Sequence, residues 1–136
     1  MDLYEEPLVF EQVSARQDGA MSLARARQAG VSSRQVWRRR ATGRYRRCRR
    51  GVVLLGGVPS SWRQPIRIAS IAAGEPAVVS HGSAVRVHGV EIPKSVHRRW
   101  RRNDRFIELT APIPRQVRLR GVVGHRGSVL DQRTHA

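Results

Sequence analysis

Short blocks of apolar residues, most of them followed by a glycine, succeed one another through the first half of the chain. Over residues 8–17, Val9 and Val13 recur at helical spacing, and Asp18 and Gly19 come directly after this block. Apolar side chains four positions apart lie on the same helical face, and glycine is a common helix terminator. The pattern therefore predicts a first helix over 8–17.

Two further short helices are indicated by their capping signals. Ser22 precedes a helical block over 23–28, and Ser32–Ser33 precedes another block that continues to about Thr42. A serine hydroxyl at the N-cap accepts a hydrogen bond from a backbone N–H that would otherwise be unpaired. A glycine follows each block, in the position where a left-handed C-terminal cap costs least. We therefore predict two consecutive short helices before residue 43.

Beyond Gly43 the pattern changes to that of a β-hairpin. The segment 45–55 contains Gly51 and is followed by Gly56–Gly57, which predicts two short strands joined by a basic turn. Three short helices followed by a small hairpin are the arrangement of a winged helix-turn-helix. We therefore predict this DNA-binding fold for residues 1–58.

The second half of the chain mixes helical and strand patterns. Apolar residues at helical spacing predict one helix over 62–73 and another over 80–88, whereas apolar runs predict strands over 106–110 and 117–123. The predicted fold class is therefore mixed α/β (α+β). It consists of the N-terminal winged helix-turn-helix followed by a small α/β domain over 59–136.

Composition points to a polyanionic partner. The 136 residues include 26 Lys plus Arg and 10 Asp plus Glu, which gives a formal net charge of +16, while 40% are hydrophobic. That hydrophobic share is sufficient for a globular core. From Gly19 to Gly74 there is no acidic residue but 13 Arg, nine of them between Arg34 and Arg50. So dense a field of one sign repels itself unless a polyanion neutralises it, and nucleic acid is the usual polyanion in a cytoplasm. The alternatives are a solvated charge run and a membrane-surface patch, but the helix and turn signals within the run favour nucleic acid.

The sequence carries no signal for membrane insertion or export. No run reaches the roughly 18 apolar residues that span a bilayer, and the N-terminus is acidic where a signal peptide is basic. The single cysteine, Cys48, cannot form an internal disulfide. Its neighbours Arg47 and Arg49 could lower the pKa of its thiol and make it oxidisable. We therefore expect a cytoplasmic protein in which Cys48 has no assigned role.

The third predicted helix carries residues suited to a major groove. Arginine can bind guanine, and glutamine adenine, through two hydrogen bonds, whereas phosphates accept either side chain without reading sequence. At 100° per residue one side, the predicted core side, comprises Ser33, Val36, Trp37, Arg40 and Ala41. The other side, which a major groove would meet, comprises Gln35, Arg38, Arg39 and Thr42. Trp37 is interpreted as a core or core-edge residue. The predicted DNA-binding residues are Ser33, Arg34, Gln35, Arg38, Arg39 and Thr42 on the helix and Arg44, Arg46, Arg47, Arg49 and Arg50 on the hairpin.

Several short motifs occur in a characteristic order. They are Asp18-Gly19-Ala20-Met21-Ser22, Val31-Ser32-Ser33-Arg34, Gly43-Arg44-Tyr45, Arg50-Gly51-Val52-Val53, Ser80-His81-Gly82-Ser83-Ala84 and His88-Gly89. In this order, over roughly residues 8–90, they resemble the AbiEi antitoxin family of type IV toxin-antitoxin systems. The chain departs from the family at Arg40, where an apolar core residue is usual, and it ends at Ala136, where longer relatives continue.

The resemblance implies an N-terminal winged helix that binds operator DNA and represses its own operon. It also implies a further region that opposes a nucleotidyltransferase-type toxin. Many actinobacterial relatives instead continue into a domain that resembles very-short-patch-repair endonucleases, so the second domain of this chain could be a truncated form.

Catalytic and metal-binding patterns are weak in the sequence. His81 and His88 are seven residues apart, about two helical turns, so one metal ion cannot easily bind both. His97 and His125 have no cysteine or paired carboxylate nearby in sequence. The acidic residues that could serve a metal-dependent nuclease are Asp104, Glu108 and Asp131. None of them has a lysine at the Glu-x-Lys spacing. We interpret His81 as a capping or packing residue and predict a protein with no enzymatic activity, metal or cofactor.

Three functional classes stay open at this level. The favoured one is a sequence-specific double-stranded DNA-binding protein, an antitoxin-like transcriptional autoregulator that binds a cognate nucleotidyltransferase-type toxin and could form a homodimer. The second is the DNA-targeting portion of a nuclease-type protein whose catalytic domain is absent. The third is a basic RNA-binding protein. Arginines around Trp100, over 98–102, could grip phosphate, stack on a base or be solvated.

Overall fold

The chain consists of two compact units, Met1–Ala72 and Ala73–Ala136. The first combines several helices with a small sheet, and the described residues of the second combine one helix with a small sheet, which confirms the predicted mixed α+β class. The computed structural model describes residues 12, 14–16, 18–91, 93 and 106–128. Much of the predicted helix over 8–17 and the whole cluster over 98–102 lie outside these residues. Within the described part of the chain, no helix has the length and apolar character needed to cross a membrane.

The first unit follows the predicted order of helices and hairpin. Ser22 caps the helix that begins at Leu23. The Ser22 Oγ accepts a hydrogen bond from the Arg25 N–H at 3.4 Å. A strand that the sequence did not predict precedes this helix. It has only three residues, which are too few to show an alternation of apolar and polar positions. The elements are β1 (Ala20–Ser22), α1 (Leu23–Gln28), α2 (Ser33–Ala41), β2 (Tyr45–Arg49), β3 (Val52–Leu55) and α3 (Arg63–Ala73), the last of which ends at the unit boundary.

The three strands form an antiparallel sheet in the order β1-β3-β2, so that β3 is central and β2 lies at one edge. Arg50 and Gly51 connect β2 to β3, and Gly51 has φ +74°. Glycine adopts this left-handed conformation without a Cβ clash, which permits the tight turn. The register shifts between Arg47 and Arg49, where β2 has an irregularity against β3.

A small apolar core holds α1 and α2 against this sheet. In it α2 buries only Val36, because Trp37 is 68% exposed and both Arg40 and Ala41 are also exposed. The predicted core side of α2 was therefore wrong except at Val36. A narrow apolar stripe is sufficient here because the larger buried side chains come from the strands. The core residues are Met21, Ala26, Val31, Val36, Tyr45 and Val53, with Leu23 and Leu55 packed against them.

The helix α3 is fastened to the turn that precedes β1. The Gln64 side chain donates to the Asp18 carbonyl at 3.0 Å, Ser61 donates to the Asp18 carboxylate at 3.3 Å, and Arg67 lies 3.8 Å from that carboxylate. These contacts join α3 to the first unit. The division at 72–73 falls at the last residue of α3, whereas the predicted domain boundary lies before this helix, at 58–59.

The second unit is built on a three-stranded sheet in the order β4-β5-β6. β5 pairs antiparallel with β4 and parallel with β6. The elements are β4 (Val78–Val79), α4 (His81–His88), β5 (Ile107–Pro112) and β6 (Val122–Gly127).

The last strand lies later in the chain than its apolar pattern predicted. It begins at Val122, so the predicted strand over 117–123 was wrong in its bounds. A Cβ built on Gly124 would lie 2.5 Å from the Val117 carbonyl oxygen, which shows how closely the preceding segment approaches β6. Val117 is buried although it belongs to no strand, because it packs over the sheet instead of pairing within it.

The core of the first unit predicts a strong effect at Met21. Met21→Ala should lower the free energy of unfolding by about 2–5 kcal/mol, because it removes a fully buried side chain and leaves a cavity. Gln28→Ala, on the exposed side of α1, is the control and should change it by less than about 0.5 kcal/mol. Guanidinium denaturation followed by circular dichroism measures both. Equal midpoints for the two variants would contradict the assigned core.

Candidate nucleic-acid interface

The start of α2 is held by a reciprocal capping box. Ser32 Oγ accepts from the Gln35 backbone N–H at 3.2 Å, and Gln35 Oε1 accepts from the Ser32 N–H at 2.8 Å. A bidentate contact with adenine would require the side-chain amide oxygen of Gln35, Oε1. That atom already accepts a hydrogen bond within the protein. The Ser-x-x-Gln spacing that signals this motif is present in the sequence, but the analysis of helical faces assigned Gln35 to DNA instead.

Arg39 connects α2 to the hairpin. Its Nη1 donates to the Tyr45 hydroxyl at 2.8 Å, and its guanidinium carbon lies 5.5 Å from the centre of the Tyr45 ring. Thr42 turns back onto the helix, where its hydroxyl donates to the Arg39 carbonyl at 3.1 Å. Both residues were predicted to contact DNA. In this structure they orient the helix end and the hairpin relative to each other.

The outward face of α2 contains only some of the residues predicted to contact DNA, namely Arg34 and Arg38. Arg34 and Arg38 are each two positions from the buried Val36, about 160° around the helix from it. Both side chains are exposed, as are those of Ser33, Trp37 and Ala41. The face that α2 presents therefore contains Arg34, Trp37, Arg38 and Ala41. The predicted face, which included Gln35 and Arg39, was rotated toward the hairpin because Trp37 was assigned to the core.

The hairpin, which contacts α2, adds further exposed cations. Arg46 and Arg47 are exposed on β2, whereas Arg49 is half-buried. Arg44 and Arg50 are exposed at the two ends of the strand. Because β2 is an edge strand, its side chains stand beside an open edge of the sheet, where charged residues also discourage pairing with another chain. We name the set Arg34, Arg38, Arg40, Arg44, Arg46, Arg47, Arg49 and Arg50 the arginine surface.

Cys48, on β2, does not have the lowered pKa that its neighbours suggested. Burial raises the pKa of the thiol above its ordinary value, and this effect outweighs the opposing influence of Arg49 and Arg46. The Sγ atom lies 3.6 Å from the Val52 carbonyl oxygen, to which it can donate. The thiol is therefore less readily ionised than a free cysteine, and the neighbouring arginines do not lower its pKa as the sequence allowed.

The second unit brings together three side chains that are distant in sequence. His125 Nε2 lies 2.9 Å from Glu108 Oε2, and the rings of His81 and His125 stack with centroids 3.9 Å apart. One potential metal-binding atom from each of the three residues lies within 4.8 Å of the others. Spacing along the sequence does not reveal this group, because its three members are distant from one another in the chain.

The chain matches no known protein family and no curated protein. The resemblance to AbiEi-type antitoxins therefore stays a prediction that rests on the motifs quoted above.

The different environments of Arg38 and Arg39 predict different effects on stability. Arg39→Ala should lower the free energy of unfolding by about 1 kcal/mol, because it removes a hydrogen bond to the buried Tyr45. Arg38→Ala, one residue away and exposed, should change it by less than about 0.5 kcal/mol. Denaturant titrations give both values. The same loss from both variants would show that the contact with Tyr45 contributes nothing to stability.

Proposed function

We propose that the protein is a sequence-specific double-stranded DNA-binding protein and that its first unit acts as a winged helix-turn-helix. The support is the element order. Helical residues at 14–16 are followed by β1, α1, α2 and the β2–β3 hairpin, and the sheet order is β1-β3-β2. A helix pair followed by a hairpin in this order is how a winged helix offers one helix to the major groove and a hairpin to the adjacent backbone.

The observation that carries the proposal is the arginine surface. Exposed arginines on α2 and on β2 belong to two elements that Arg39 and Tyr45 hold together, within a stretch that has no acidic residue from Gly19 to Gly74. A protein face of this kind neutralises several phosphates at once and releases their counterions. If these arginines were only a solvated charge run, nothing would require α2 and the hairpin to be held in a fixed position relative to each other.

Within this proposal the arginines have two roles. Arg34 and Arg38, on the outward face of α2, would reach base edges, where arginine binds guanine O6 and N7. Arg46 and Arg47, on the hairpin, would contact phosphates, which position the protein without reading sequence. Gln35, Arg39 and Thr42 would contribute indirectly, by fixing the ends of α2.

The biological role that fits this activity is transcriptional autoregulation of an antitoxin-like operon. It is supported by the motifs that resemble AbiEi antitoxins, and it makes a nucleotidyltransferase-type toxin the expected protein partner. DNA binding by the first unit is the part of this role that the arginine surface supports directly.

An RNA-binding function is the alternative that a specific observation favours. Trp37 is 68% exposed among arginines, and an exposed aromatic ring beside cations is a platform on which unpaired bases stack. Competition among duplex DNA, single-stranded DNA and structured RNA for the full chain separates the two functions. Duplex DNA should compete best; preferential displacement by RNA or single strands would overturn the DNA proposal.

Duplex binding should depend steeply on salt. If the arginine surface neutralises about six or more phosphates, the association constant should fall on the order of a thousandfold between about 50 and 200 mM salt, because bound counterions are released. Fluorescence anisotropy with a labelled duplex measures this slope. A nearly flat dependence would contradict electrostatic binding by this surface.

Substitutions on α2 and on the hairpin should have different consequences for specificity. Arg38→Ala should remove about 1–3 kcal/mol of preference for one base pair, as expected for a lost bidentate contact with guanine. Arg47→Ala should weaken binding to all duplexes alike and reduce the salt slope by about one phosphate contact. Binding to a panel of single-base-pair variants of a selected site measures both effects.

The control for these variants is Arg118→Ala, which removes the same charge from the second unit. It should leave the base-pair preference unchanged. Each variant must first show the unfolding midpoint of the parent protein, since Val36 is buried next to the substituted helix positions. Equal loss on every duplex from both Arg38→Ala and Arg47→Ala would make α2 another phosphate anchor and would contradict sequence-specific recognition.

A further inference from the structure

The second unit contains a cluster of potential metal ligands that the proposed DNA binding does not use. His81 begins α4, Glu108 lies on β5, and His125 lies on the neighbouring parallel strand β6. The backbone N–H of Glu108 donates to the buried Ser83 hydroxyl at 2.9 Å, which fastens β5 to the first turn of α4. The pairing of β5 with β6 then brings His125 to the same place.

The carboxylate is the fixed member of this cluster. The Glu108 side chain is only 7% exposed, and its Oε2 faces His125 Nε2 at 2.9 Å. A buried carboxylate is costly unless it is paired with a cation or coordinates a metal. The second imidazole, that of His81, stacks on the first with an angle of 27° between the ring planes. A single imidazole would be enough to pair with this buried carboxylate, so charge pairing does not account for the second imidazole.

His81 has a strained backbone conformation at the start of α4. Its φ is +51°, a left-handed value uncommon for residues other than glycine, and such strain concentrates at functional sites. Its Nδ1 lies 3.0 Å from Ser80 Oγ, which in turn accepts a hydrogen bond from Thr110 at 2.7 Å. In the tautomer in which Nδ1–H donates to Ser80 Oγ, the Nε2 atom carries no proton and is available to a metal, which is the usual arrangement of a metal-binding histidine.

We propose that His81, Glu108 and His125 form a binding site for a divalent transition-metal ion of the zinc type. Two imidazole nitrogens and one carboxylate oxygen suit zinc and related ions, whereas magnesium and calcium require mainly oxygen ligands. Three protein ligands leave a fourth position for water or another ligand, as in open zinc sites.

The geometry requires only a local adjustment. Ligand bonds of about 2.1 Å in a tetrahedral site place ligand atoms about 3.4 Å apart. The three atoms here lie within 4.8 Å of one another, and His125 and Glu108 are already closer than the tetrahedral spacing. His81 is exposed, so its ring can turn from the stacked position toward the other two without displacing the core.

Zinc titration of the full-length chain tests the proposal. Isothermal titration calorimetry should show one saturable zinc site, and Mg²⁺ at millimolar concentration should not compete for it. Co²⁺ in place of zinc should give the intense visible absorption of a four- or five-coordinate site. No saturable zinc binding, or a cobalt spectrum identical to that of hydrated Co²⁺, would overturn the proposal and leave a Glu108–His125 pair with a stacked imidazole.

Two substitutions assign the ligands. Loss of a hydrogen-bond partner around a metal already weakens affinity by about 10- to 100-fold, so loss of a direct ligand should weaken zinc binding by about 100-fold or more. We expect this from Glu108→Gln, which keeps the side-chain shape, and from His81→Asn, because asparagine tolerates the left-handed backbone. Unchanged zinc affinity in both variants would overturn the site.

The matched control removes every other histidine and the thiol. A variant with His88→Ala, His97→Ala, His135→Ala and Cys48→Ser retains only His81 and His125 among the five histidines. It should bind one zinc with the affinity of the parent chain and give the same cobalt spectrum. Loss of zinc binding in this variant, with its circular dichroism unchanged, would place the metal elsewhere and contradict the proposal.

Discussion

The burial of Tyr45 is the interaction on which the arrangement of the first unit depends. Its ring is 1% exposed and belongs to the core with Met21, Val36 and Val53. Its hydroxyl receives the hydrogen bond from Arg39 at 2.8 Å. One residue at the start of β2 therefore joins the apolar core, the hairpin and α2. The arginines of α2 and those of the hairpin have a defined relation to each other because the elements that carry them meet at this side chain.

In this arrangement a small apolar core holds together the elements that carry many exposed arginines. α2 contributes one buried residue, Val36, and uses most of its remaining surface for cations and Trp37. A helix that buries so little gains little from packing, so its capping box and the contact of Arg39 with Tyr45 become important to its position. The mutual repulsion of the exposed arginines is the cost of this design, and a bound polyanion would relieve it.

The distinctive feature of the second unit is a carboxylate, that of Glu108, buried inside a small domain. Glu108 is tolerated because Ser83 satisfies its backbone N–H and His125 faces its side chain. The parallel pairing of β5 with β6 puts Glu108 and His125 on adjacent strands, and α4 starts beside them. The proposed metal site is thus a consequence of the sheet topology.

Local signals in the sequence determined the short elements of this protein. Serine caps and following glycines located α1 and α2, and the glycine-interrupted apolar run located the hairpin, because these signals act between residues close in the chain. The density of arginine between 34 and 50 was likewise evident without a structure. Only the tertiary structure decided which face of α2 is exposed, since Tyr45 and the strands fill the core and leave Trp37 outside. It also decided that His81, Glu108 and His125 meet, because their approach depends on strand order and on packing across the unit, which no local spacing encodes.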